Sequence, residues 1–200
     1  MTSRKPLKII GAVVIGLILA YSFIPSWVPY EEQILNHREE INDFMKNDSE
    51  SPLPDSVQDT FQSLKFYPVN PELKVDTRLE LLKDDQKLVM GTSDGKTREY
   101  IRYAYARFEL DGQSQRLTLL KPVDQNEEGL FLPFGDPTNG SETYGGGRYL
   151  DLETTDKQHL TIDFNLAYNP YCVYSEGYSC PIPPSENQLE VPVRAGEKNY

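Results

Sequence analysis

The sequence predicts a mainly β domain, an antiparallel β-sandwich or open barrel, carried behind an N-terminal transmembrane helix and a following amphipathic helix. Three observations predict it. Ile9 to Ile24 is a sixteen-residue run without a charge. Residues 30–46 carry apolar residues at helical spacing. From Val75 onward the apolar period changes to two, in short runs separated by turn residues.

Charge is costly in hydrocarbon, so the first run belongs in a membrane or a translocon. It extends from Leu7 to Val28 if Lys8 snorkels, which is about a spanning length. Trp27 and Tyr30 fall where an interfacial aromatic belt would lie. Leu19-Ala20-Tyr21-Ser22 makes a poor cleavage site. The reading is a single-pass anchor through residues 7–28. Arg4, Lys5 and Lys8 keep the N-terminus in the cytoplasm and put the domain outside the cell membrane. A cleaved signal that yields a secreted or periplasmic protein is the alternative. The sequence divides into the anchor at 1–29, a helix and Pro-rich linker at 30–73, and the β domain at 74–200.

In the linker, Glu31 and Glu32 suit the positive end of a helix, and Tyr30, Ile34, Ile41 and Met45 or Phe44 share a face. A short helix is expected over Val57–Leu64. Pro52, Pro54, Pro68 and Pro71 prevent anything longer. Strands are expected at Val75–Leu82 and Lys87–Gly91, with a turn at Asp84-Asp85 between them. The next is Arg98–Leu110, with Tyr100, Arg102, Ala104, Ala106, Phe108 and Leu110 on one side. Asp111-Gly112 signals a hairpin into Gln115–Lys121. Leu130–Phe134, Tyr149–Leu152, His159–Asn165 and Leu189–Val193 complete the set. A loop at 135–148 and an irregular stretch at 168–187 interrupt it, and long loops inside a domain are often functional.

The net charge is −11, and the first thirty residues contribute only cations to it. So acidic a remainder repels nucleic acid, which needs Lys and Arg to neutralise phosphates. No P-loop lysine, GxGxxG, HExxH, CxxC or serine elbow is present. The sequence therefore implies no cofactor, no metal and no assigned catalytic residue.

The chemistry-bearing residues concentrate between Tyr144 and Asn187. Cys172 and Cys180 are close enough for a disulfide, the common state of paired cysteines in an exported protein. Such a bridge stabilises by roughly 2–3 kcal/mol. A free thiol beside His159, or a metal site shared with it, is the alternative. Gly145-Gly146-Gly147-Arg148 offers backbone amides and a bidentate fork to an anion, or simply a tight turn. Asp136, Asn139 and Glu142 are oxygen donors without EF-hand spacing. Asp151, Asp163 and Glu186 suit either acid–base work or the pinning of loops, together with Asn165, Tyr168 and Asn169.

The runs PFGDPTNGSETYGGGRYLDL, DFNLAYNPYCVYSEGYSCPIPPSENQL and RAGEKNY resemble the family called domain of unknown function 1684. The likeness covers about residues 30–200 and implies no activity. It also implies that some relatives lack an export segment, which weakens the bridge reading and raises the thiol or metal one somewhat. The leading expectation is a small-ligand-binding or scaffold module. Its cleft, between the 135–148 loop and the 165–187 stretch, takes a small polar or anionic ligand. The candidate residues are Arg148, Tyr144, Asp151, Asp163, Asn165, Tyr168, Asn169 and Glu186. Arg148 is the grip, and Tyr144 and Tyr168 are the walls. The alternative is a hydrolase-like enzyme using Arg148 with Asp151 or Asp163, or Cys172 with His159. A third expectation is an envelope protein whose motif only holds the fold.

Overall fold

The structure, a computed structural model, describes residues 28–123, 129–155 and 157–200. Six strands make one antiparallel sheet: β1 (Lys74–Gly91), β2 (Thr97–Leu110), β3 (Gln113–Pro122), β4 (Leu130–Phe134), β5 (Arg148–Leu152) and β6 (His159–Asp163). Strands β1 to β5 form a meander, and β6 returns to the free side of β1, giving the order β5-β4-β3-β2-β1-β6. The sheet curls into a half-barrel. Just past β6, Tyr168 exchanges two backbone hydrogen bonds with Tyr149 of β5, which draws the two sheet edges together. Among the described residues there is no second sheet, so the sandwich reading gives way to the half-barrel. Segments without strand pairing cover both faces.

The inner face carries the main core. Leu79, Ala104, Ala106, Phe108, Leu117, Leu119, Leu132, Phe134, Leu150 and Ile162 point into it. Leu189, Val191, Val193 and Ala195 fill its concave side. Here the structure corrects the expected last strand at Leu189–Val193. Its alternation is real, because Leu189, Val191 and Val193 are buried between more exposed neighbours. It reports an extended segment laid inside the half-barrel, not one added to the ladder.

Two irregularities re-aim the far half of β1 and β2. Leu81 pairs with Ala104 and Gln86 with Arg102, so residues 82–85 bulge opposite Tyr103. Tyr103 is also the extra residue against β3, where Arg102 pairs with Leu120 and Ala104 with Leu119. A bulge shifts side chains to the other face. Ala104, Ala106, Phe108 and Leu110 therefore face the core, whereas Tyr100 joins Met90 and Leu120 in a separate cluster on the outer face. The expected turn at Asp84-Asp85 is this bulge within one long strand. The single face drawn from Tyr100 to Leu110 is split by it.

Strands β3 and β4 pair only at Leu120 and Phe131. Pro133 in β4 has no N–H to donate, so the ladder opens. The carboxamide of Asn187 takes its place. Its oxygen accepts from Thr118 N at 2.7 Å, and its nitrogen donates to Thr118 O at 2.9 Å and Pro133 O at 2.8 Å. Asn187 O then accepts from Gly135 N, and Leu189 N donates to Gly135 O. One buried side chain thus acts as a length of strand.

Helix α1 (Tyr30–Asn47) matches the amphipathic reading, with Ile34 and Met45 buried. Arg38 is buried with them, donating to Tyr67 O at 2.9 Å and lying 4.7 Å over the Phe66 ring. Helix α2 spans only Asp55–Gln58, because Thr60 folds back on Val57 O and the backbone then extends. Phe61 and Leu64 still dock, against Met45 and Leu53. Among the described residues no helix is long and apolar enough to cross a membrane. The anchor expected at residues 7–28 lies, up to residue 27, outside them.

Asn187→Leu leaves one buried N–H and two carbonyls without partners. It is expected to lower stability by about 2–4 kcal/mol in urea unfolding. A loss below about 1 kcal/mol would mean that the β3–β4 gap is bridged by something else.

Candidate functional site

On a strand, residues three apart face opposite sides. In β5 this sends Arg148 and Leu150 inward and Tyr149 and Asp151 outward. The outer face forms the floor of a cleft of about 740 Å³, within the size range of small-molecule sites. The floor is aromatic. Tyr100 stacks on Phe131 with centroids 5.4 Å apart, and Phe131 meets Tyr149 edge-on at 4.8 Å. Tyr168 stands perpendicular to Tyr149 at 5.8 Å. One wall is the irregular stretch after Tyr168, bearing Tyr171, Tyr174 and Tyr178. Prolines at 170 and 181 keep that stretch out of regular structure. The opposite wall is α1, with His37, Ile41 and Phe44.

Two carboxyl-bearing residues, Asp151 and Glu197, and two basic ones, His37 and Arg98, line the cleft. Asp151 is exposed and accepts from Tyr168 Oη at 2.6 Å. Glu197 is only 2% exposed and accepts from Asn169 N at 2.9 Å, from Asn169 Nδ2 at 2.9 Å and from Tyr174 Oη. Burial holds its carboxyl above the usual range, against those hydrogen bonds and Arg148. Asn169 Oδ1 is buried without a partner among the described residues. Burial and neighbouring carboxylates push Tyr168 and Tyr174 well above the usual phenol range, so both hydroxyls stay protonated.

Arg148 is not in the cleft. Its side chain is fully buried on the inner face, 5.4 Å over the Phe134 ring. Nη2 donates to Asp136 Oδ2 at 2.9 Å and Val193 O at 2.8 Å. Nη1 donates to Ala195 O and to Glu197 O at 3.2 Å. The expected anion grip is a clamp on the C-terminal segment. The glycines before it make a turn. Gly147 has φ +89°, and a Cβ there would lie 2.7 Å from Phe134 O. Asp136 also accepts from Thr138 N and Val193 N, Asn139 ties its own loop, and Glu142 pairs with Arg194. These three oxygen donors point to separate tasks.

Asp163 and Asn165 are also structural. Tyr30 Oη donates to both Asp163 oxygens at 2.8 and 2.9 Å, and Asn165 ties Tyr30, Asn70 and Asp163 together. The pair anchors the start of α1 and the entry to β1. Glu186 forms a bidentate pair with Arg102, which holds its carboxyl below the usual range. Among the described residues Asp151 and Asp163 share no partner, and neither pairs with Arg148. Cys172 and Cys180 are neighbouring free thiols, with Cys172 N donating to Cys180 Sγ at 3.2 Å and Tyr144 Oη 4.0 Å from Cys172 Sγ. Burial pushes the Cys180 thiol up to about 12, which makes it a poor nucleophile. His159 is exposed on β6 opposite Arg78, and among the described residues no three His, Cys, Asp or Glu side chains converge as metal ligands.

Of the predicted ligand residues, the structure brings Asp151, Tyr168 and Asn169 to the cleft. It directs Arg148, Asp163, Asn165 and Glu186 to the scaffold and leaves Tyr144 at the cysteines. The sequence reading missed Tyr100, Phe131, Tyr149, Tyr171, Tyr174, Tyr178 and Glu197. The tyrosine density after residue 168 was the available signal.

Residues 59–198 match the family described as a protein of unknown function, DUF1684. The protein belongs to the DUF1684 family. No curated protein matches it. It is similar to an uncharacterized protein of Haloarcula marismortui whose structure was solved in solution by NMR. The two are 36% identical over a match that takes in 84% of this chain and 94% of that chain, with a TM-score of 0.66. The DUF1684 match contains the Arg148 clamp, Asn187 and the tyrosine wall. The other wall, α1, precedes it.

Arg148→Lys keeps the charge but not the fork that serves four acceptors. It is expected to cost about 3–5 kcal/mol of unfolding free energy, comparable to breaking a buried pair outright. Stability within about 1 kcal/mol of the parent would show that a point charge suffices.

Proposed function

We propose that this DUF1684 protein is a binding module for a small organic ligand, held at the membrane with its domain outside. The aromatic cleft carries the reading. Several rings enclose a volume of ligand size, polar groups lie among them, and one lining residue, Asn169, holds a buried oxygen without a partner among the described residues. A structural role alone needs no such opening between α1 and the sheet. The hydrolase alternative lacks support from the placement of Arg148. The uncharged run at 9–24, behind Arg4, Lys5 and Lys8, supports the anchor.

Indole serves as a neutral ring-bearing probe. NMR titration is expected to give saturable shifts at Tyr168, Tyr171 and Tyr178. Tyr171→Ala removes an exposed ring, so it is expected to weaken binding by about 2- to 10-fold without unfolding the domain. Shifts that do not saturate, or that map elsewhere, would remove the cleft reading. For the anchor, deletion of residues 1–29 is expected to move the protein from the membrane pellet to the soluble fraction. Retention in the pellet would refute it.

A further inference from the structure

We propose that the natural occupant of the cleft is an organic ammonium ion, a ring- or alkyl-bearing amine in its protonated form. The inference rests on the binding reading above and adds the charge and the donor character of the ligand. Three independent observations lead to it.

The first is the shape of the aromatic surface. The rings do not lie in one plane. Tyr168 is at 90° to Tyr149, and Tyr178 is at 76° to Tyr171 with centroids 5.3 Å apart. Each edge-to-face pair uses up one π face and leaves the others, and a π face attracts a cation. The protein already uses this floor in that way, since the Arg98 guanidinium lies 5.9 Å over the Tyr100 ring.

The second is the sign of the polar groups. Asp151 borders the cleft as an exposed carboxylate, and Glu197 borders it from a buried position. The hydroxyls of Tyr168 and Tyr174 are turned toward those carboxyl groups, so each presents its oxygen lone pairs to anything else. Among the described residues, the basic side chains along the cleft are His37 and Arg98, and Arg98 is engaged elsewhere as well as on Tyr100. Arg148, which would have favoured an anion, faces the other side of the sheet. The acidity of the whole protein, net −11, raises the local concentration of cations further.

The third is Asn169. The residue is 1% exposed, and its Oδ1 has no hydrogen-bond partner among the described residues. Its nitrogen is fixed by donation to Glu197 Oε1 and Lys198 O, so the amide cannot turn to hide the oxygen. A buried acceptor left unpaired is destabilising. Asn169 borders the cleft. Oδ1 itself is covered, so a small opening of its surroundings would let an ammonium N–H supply the missing donor, whereas a carboxylate or phosphate group would meet only another acceptor.

The test uses three probes with one skeleton: benzylamine, benzyl alcohol and benzoate, titrated by NMR against the whole folded domain. Benzylamine is expected to bind on the order of tenfold tighter than benzyl alcohol, with benzoate the weakest, and to weaken as salt is raised. Asp151→Asn keeps an acceptor for Tyr168 at an exposed site, so folding is preserved. It is expected to reduce benzylamine affinity several-fold and to leave benzyl alcohol unchanged. Equal or tighter binding of benzyl alcohol or benzoate would overturn the ammonium assignment and leave the binding module standing. Failure of all three probes, together with indole, would overturn both.

Discussion

The guanidinium of Arg148 is the interaction on which the two faces of this sheet depend. Removing a cation from water is expensive, and the cost is offset here at both terminal nitrogens of the fork, while Nε finds no partner among the described residues. Here Asp136 supplies the opposite charge, and three carbonyls of the C-terminal segment supply the rest. The consequence travels outward. Holding Glu197 O fixes the backbone of residue 197, and its carboxyl group then receives Asn169 and Tyr174. Those two residues belong to the cleft wall. The cleft is therefore shaped from the opposite side of the sheet, by a residue that never touches it.

Around that clamp, the fold solves two problems common to small half-barrels. A half-closed sheet has an unfilled concave side, and the extended segment from Leu189 to Ala195 fills it with alternate residues. The sheet also has a weak seam where Pro133 stands in β4, and Asn187 mends it with three hydrogen bonds from one amide. Both repairs come from the segment that follows the last strand. The prolines there suit an extended path that needs few backbone donors of its own. The bulges at Tyr103 and residues 82–85 complete the design by turning Tyr100 and Met90 away from the main core and toward the cleft floor.

The elements legible in the sequence were those set by local periodicity. Helix α1, the Asp111-Gly112 hairpin and the short strands β4 and β5 sit where the 3.6- and two-residue patterns placed them. What was not legible depends on pairing across the sheet. Asp84-Asp85 has turn chemistry, yet it lies in a bulge because the strand partner continues past it. Leu189 to Val193 has strand alternation, yet it finds a concave surface instead of a free edge. The site residues follow the same division. Asp151 and Tyr168 were picked out as polar residues in an irregular stretch, and they do reach the cleft. Arg148 was picked out for its chemistry, and the inward parity of its strand position was the counter-signal. Arg148 and Asp151 are three apart on one strand, so period two alone separates their tasks.

That parity has a wider consequence for how the dense motif should be understood. From Tyr144 to Lys198 the backbone repeatedly crosses between the faces of one sheet, so neighbouring residues serve different ends. Arg148 clamps and Tyr149 lines the cleft. Asn165 pins α1 and Tyr168 lines the cleft. Glu186 pairs with Arg102 and Asn187 mends the seam. Polar residues turned inward, Arg148 and Asp136 among them, bond mostly to backbone and hold the architecture. Polar residues turned outward are few, rich in acceptors, and set among rings. A motif that concentrated residues for one purpose would converge on one point. This one is interleaved, and its outward half is the part that borders the open volume.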